Sequence, residues 1–171
     1  MRGGVWILSL VAGVWGEVAL FGLGASRWTL VVPVLITSAV LALCARAPRG
    51  DAPPEDERRR AGRSVGIWST VEGVAIFITA IVLINVGAAR LIVPAIVVIV
   101  GLHFLPLAAP LRLRVYYGLA PVLIALGLGA MLLPAHWPLV AAATGAATAS
   151  WTTALLIAFV PSSRVSAVAQ A

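Results

Sequence analysis

Four residues with chemically active side chains stand inside long apolar stretches: Glu17, Glu72, Asn85 and His103. An ionisable group in hydrocarbon is costly, so it faces neighbouring helices or a wet cavity and marks a proton relay, a solute path or a polar helix contact. Glu72 and His103 form the sharpest combination. They flank the turn at Ala88 and Ala89 by about 16 and 15 residues, and at ~1.5 Å per residue two antiparallel helices bring them within ~3 Å of one level. Desolvation disfavours each charge while the opposite charge favours both, so such a pair can exchange a proton as a unit. It can equally fasten two helices, at ~1 kcal/mol. Depth alone does not fix whether their faces meet.

Glu17 lies ten residues before Arg27, which puts it ~15 Å from that helix end and near the midplane of a bilayer. Thr37, Ser38 and Thr79 fall at about its level, so a carboxylate flanked by hydroxyls outlines a cation or proton relay; a protonated carboxyl bonded to a helix carbonyl is the alternative. Ala12, Gly13 and Gly16 thin this stretch and allow another helix close, so Glu17 is expected to face protein. Asn85 is expected to cap carbonyls of the turn that follows it, with Gly87 as the helix stop. His136 belongs to a wet turn beside Trp137. Two scattered Glu and His ligands fall short of a metal site, and the single cysteine, Cys44, can form no intramolecular disulfide. No cofactor is expected. The elbow, zinc-helix and phosphate-loop motifs of common enzymes are absent from the sequence, and the chain reads as a non-enzyme.

The elements that hold these residues follow from composition. Of 171 residues, 61% are apolar and only 11% charged, with a mean hydropathy of +1.06. A soluble domain carries roughly a quarter of its residues as charges, so a soluble enzyme, a disordered tail and a nucleic-acid reader are all excluded. The expected architecture is an all-α polytopic transmembrane helical bundle. Six segments are apolar and close to the ~20 residues a bilayer core requires: 5–24, 28–45, 65–86, 91–109, 115–133 and 138–160. Short connections at Arg27, Arg90 and His136 make them three antiparallel hairpins.

The hydrophilic stretch 46–64 holds ten of the eighteen charged residues. Pro48, Pro53 and Pro54 break any helix in its first half, and it reads as a solvated cytoplasmic loop that can also meet lipid headgroups. Arginine placement gives the orientation. Ten arginines fall on the side of the termini and this loop, and only Arg27 and Arg90 on the other, so the N-terminus and the tail 161–171 are expected in the cytoplasm. A cleaved signal peptide is the competing reading of the first segment, but its apolar stretch exceeds the usual 7–15 residues and contains Glu17.

An internal repeat links the first two hairpins. Gly4-Val5-Trp6 is matched by Gly66-Ile67-Trp68, and Pro33 by Pro94, which reads as duplication. In the sixth span Ala141, Gly145 and Ala149 form one stripe and Thr144, Thr148 and Thr152 its neighbour, a face for close helix packing, for a second copy of the chain or for a narrow polar path. Trp6, Trp28, Trp68 and Trp137 lie at span ends, at headgroup depth, whereas Trp15 and Trp151 lie deeper and read as packing residues.

The run Glu72-Gly73-Val74-Ala75-Ile76-Phe77, followed by Pro94-Ala95-Ile96 and Gly101-Leu102-His103-Phe104-Leu105-Pro106-Leu107, resembles a pattern of small uncharacterised bacterial multi-pass membrane proteins. The resemblance covers about forty residues, implies a place in the bacterial plasma (inner) membrane and carries no activity with it. Two function classes remain. One is a small proton-linked transporter or permeability protein using Glu72, His103 and Glu17, with Asn85, Thr37, Ser38 and Thr79 in support. The other is a structural or accessory membrane protein whose polar residues only fasten helices. Membrane lipids and further copies of the chain are the expected partners, and nucleic acid is not.

Overall fold

A computed structural model describes residues 2–47 and 54–159. The tail 161–171, the last residue of the sixth span and the stretch 48–53 of the loop lie outside the described residues. Six α-helices follow one another: α1 (Arg2–Gly22), α2 (Val31–Arg46), α3 (Glu55–Asn85), α4 (Ile92–Ala108), α5 (Val115–Met131) and α6 (Trp137–Phe159), with a 3-10 turn at Ala89–Leu91 before α4. Of these, α1, α3, α4 with its preceding turn, and α6 are long and apolar enough to cross a membrane; α2 and α5 are apolar but shorter. At ~1.5 Å per residue, the 16 residues of α2 and 17 of α5 extend ~24–26 Å.

The charged stretch departs from the expected loop. Helix α3 starts at Glu55 and carries residues 55–64 as helix, ten residues ahead of the apolar span. Pro54 precedes the first turn, and Glu55, Asp56 and Glu57 occupy it, where carboxylates complement the positive end of the helix dipole. Arg59 reaches back one turn to Glu55 at 2.7 Å. An Arg112–Glu57 ion pair of 2.9 Å ties this extension to the turn between α4 and α5.

At the opposite end, α1 and α3 close in the same way. Gly24 and Gly87 have positive φ, +63° and +71°. The amides of Ala25 and Ala88 bond back to the carbonyls of Leu20 and Leu83, five residues earlier. Such a left-handed stop suits glycine because it has no Cβ. Asn85 corrects the expectation: its side-chain amide donates to the Ile81 carbonyl of the preceding turn at 2.8 Å, because the backbone bonds through Gly87 and Ala88 already satisfy the final carbonyls.

Helix α6 is the hub, packing along α1 and α5 and touching α4 and α2. The α4 and α5 helices pack along each other, and they approach closely at two glycines. A Cβ on Gly127 would lie 2.7 Å from the Pro94 carbonyl oxygen, and one on Gly101 would lie 3.0 Å from that of Ala120. Without water to exclude between helices, close van der Waals contact of this kind drives association. The fully buried face of α6 is Ala142, Ala143, Ala146 and Ala147, one step round from the expected Ala141, Gly145 and Ala149. Gly145 still packs against Leu126, while Thr144, Thr148 and Thr152 are exposed.

Helices α2 and α3 are peripheral: α2 lies on α1 and α6, and α3 lies on α4. None of the residues of α3 is buried, and apolar side chains such as Phe77, Ile78 and Ile84 face outward, as suits a helix long and apolar enough to cross a membrane. Pro33 and Pro94, matched in the sequence repeat, are both buried in first turns but meet different partners. Pro33 packs on Gly16 of its own hairpin, whereas Pro94 packs on Gly127 of α5.

Gly127→Ala is expected to lower stability in detergent by ~1–3 kcal/mol, because the methyl group meets backbone rather than a yielding side chain. Gly129→Ala, where a Cβ meets nothing within 4 Å, is expected to cause no loss. Thermal or SDS-induced unfolding of the two variants checks this.

Candidate functional site

The α3–α4 contact brings Glu72 and His103 together. His103 Nδ1 lies 3.6 Å from a Glu72 carboxylate oxygen and 3.2 Å from the Trp68 carbonyl oxygen. A carbonyl only accepts, so this geometry requires the proton on Nδ1, and the ring donates toward Trp68 with the Glu72 carboxylate beside it. Trp68 sits one helical turn before Glu72, so both acceptors come from one stretch of α3. The pair is largely shielded, with side-chain exposures of 10% for His103 and 20% for Glu72. Phe104 meets the His103 ring edge-on at 5.9 Å and in turn packs on Tyr116 of α5 at 4.8 Å.

Counting residues from the turn sets this meeting, since both helices rise equally from it. The Trp68 carbonyl was not anticipated, although its spacing of four before Glu72 is the available signal. Glu72 and His103 offer two metal-type ligands, and among the described residues no third His, Cys, Asp or Glu joins them.

The second expected group does not assemble. Glu17 is half-buried on α1, and among the described residues its carboxylate makes no hydrogen bond or ion pair. Thr37 is buried and accepts a hydrogen bond from Trp151 Nε1–H at 3.2 Å, so its hydroxyl serves α6. Ser38 is exposed. Thr79 lies on α3, which packs on α4 rather than α1. Gly13, one turn from Glu17, is the residue that meets Thr37. The sequence placed these residues at one depth; helix order removes Thr79 from the group, and Trp151 takes the Thr37 hydroxyl.

The Trp151–Thr37 bond joins α6 to α2 and explains a tryptophan deep in the apolar layer, because a buried indole N–H finds an acceptor. Nearer the charged end, Cys44 Sγ lies 3.8 Å from the Ala154 carbonyl, a second polar contact between the same helices. Two hollows lie elsewhere. A groove of about 580 Å³ between α5 and α6 is lined by Gly118, Val122, Leu126, Thr148 and Thr152. A smaller cavity of about 240 Å³ at the end of the short turns is lined by Arg90, His136 and neighbours. Compared with family models, with curated proteins and with solved structures, the chain finds no match.

Replacing Trp151 by Phe, or Thr37 by Val, is expected to cost ~0.6–1.7 kcal/mol each, the range for interhelical hydrogen bonds in membranes. The double variant should cost less than the sum, since both single changes remove one bond. Unfolding midpoints of the three variants measure this.

Proposed function

We propose that the protein is a six-crossing plasma-membrane protein of structural or accessory type, in which Glu72 and His103 fasten α3 to the bundle. The observation that carries this reading is the 3.2 Å contact from His103 Nδ1 to the Trp68 carbonyl together with the 3.6 Å approach of Glu72. That contact spends the imidazole Nδ1–H on helix backbone. Support also comes from the filled centre of the bundle, where Val97, Leu123, Ala142, Ala143, Ala146 and Ala147 pack helix on helix, and from hollows that open elsewhere. Crossing by α2 and α5 is supported by their apolarity, since ~17 residues is the short limit for a span.

A proton-linked carrier is the second reading, favoured by the partial exposure of Glu72 and the unbonded carboxylate of Glu17. The α3–α4 seam would then be the path, because α3 is held by α4 with no buried residue of its own. The cytoplasmic position of the termini rests on the arginine asymmetry. The paired prolines and glycine stops of the first two hairpins suit duplication, with the two copies diverging in their packing partners.

In liposomes loaded with a pH-sensitive dye, wild type, Glu72→Gln and His103→Ala are expected to relax an imposed pH gradient at the same rate, with both variants less thermally stable. Fast relaxation by wild type that either variant abolishes would establish the carrier instead. For orientation, cysteines introduced at Arg27 and at Arg58 in a Cys44→Ser background are compared in intact bacterial cells. A membrane-impermeant maleimide is expected to label position 27 and spare position 58; the reverse pattern contradicts the assignment.

A further inference from the structure

From the cavity at the turn end we infer that the protein carries a binding site for a small oxyanion bearing a short apolar group. The cavity has a volume of about 240 Å³, is partly open to the outside, and is built from three separate connections: Gly22 closes α1, Arg90 precedes α4, and His136 precedes α6. Val93 and Leu139 supply apolar wall. The polar side chains lining it are a guanidinium and an imidazole, with no carboxylate among the lining residues.

Arg59 and Arg112 are spent on Glu55 and Glu57, and Arg27 lies over the Trp28 ring at 5.6 Å. Arg90 makes no ion pair or side-chain hydrogen bond among the described residues, so its five donors remain for a ligand. Arg46, Arg58, Arg60 and Arg63 are also unpaired among the described residues, but they line neither hollow. A planar guanidinium matches carboxylate or phosphate oxygens two at a time. His136 is exposed, with its ring stacked on Trp137 at 5.0 Å, and is the other lining residue with a polar side chain.

The ligand class follows from these two halves. An oxyanion sits between Arg90 and His136, and a chain of a few carbons lies against Val93 and Leu139. Such chemistry is offered by a free short-chain carboxylate and by the phosphate of a lipid headgroup. Arg90 and His103 are thirteen residues apart, which along the helix is ~20 Å, so this site is separate from the Glu72–His103 contact.

Direct binding to the purified full chain tests the inference. Butyrate is titrated in neutral detergent micelles against butyramide, its uncharged counterpart. Phosphatidylglycerol is compared with phosphatidylcholine in nanodiscs, with tryptophan fluorescence as the readout beside Trp137. Butyrate binding that Arg90→Gln weakens at least tenfold, His136→Gln weakens severalfold and Glu72→Gln leaves unchanged establishes a site for a free carboxylate. Loss in Arg90→Gln of a phosphatidylglycerol-specific response establishes the lipid source. Leu139→Trp, which fills the hollow but keeps Arg90 and His136, should abolish either response. The inference is overturned if folded wild type responds to neither anion, if butyramide binds as well as butyrate, or if Arg90→Gln binds like wild type.

Discussion

A helix surrounded by hydrocarbon gains nothing from hiding apolar surface, so association depends on how closely backbones can approach and on the few polar groups that must find partners. Gly101 and Gly127 let α4 and α5 nearly touch, and the alanine face of α6 does the same for its neighbours. These contacts set the helix order. The long third helix has no such face and lies outermost on α4. Its polar attachments are then conspicuous: Glu57 with Arg112 at the charged end, and Glu72 with His103 within the apolar layer.

Hydropathy made the helices legible, since six apolar stretches account for six helices. Polarity marked the charged stretch as solvated but not its local form: Glu55, Asp56 and Glu57 followed by arginines stabilise a helix start in its second half. Depth was also legible, as the meeting of Glu72 and His103 demonstrates. Helix neighbours were not. A span that is apolar all round carries no stripe to say which side faces protein, so the sequence could not tell that α1 packs on α6 and α4 on α5. Glu17 and Thr79 share a depth but sit on helices at different places in the bundle. The Arg90 and His136 cavity was invisible for the same reason, since three connections distant in sequence compose it.

The two ends of the bundle differ in chemistry. At one end, arginines are numerous and partly neutralised by the acids of α3. At the other, a cation lines a hollow without an acid beside it. The Glu72–His103 contact lies between them, on the edge of the bundle rather than at its centre. Fastening and carriage make different uses of that position. A fastener needs the contact to persist, and a carrier needs α3 to leave it.

The meeting of Glu72 and His103 is tested most directly by a double-mutant cycle, with unfolding free energies measured for wild type, Glu72→Gln, His103→Leu and the double variant in one detergent. A coupling of ~0.5–2 kcal/mol is predicted, in line with interhelical polar pairs in membranes. Strictly additive single effects would contradict it and would leave the Trp68 carbonyl as the sole partner of His103 on α3 among the described residues.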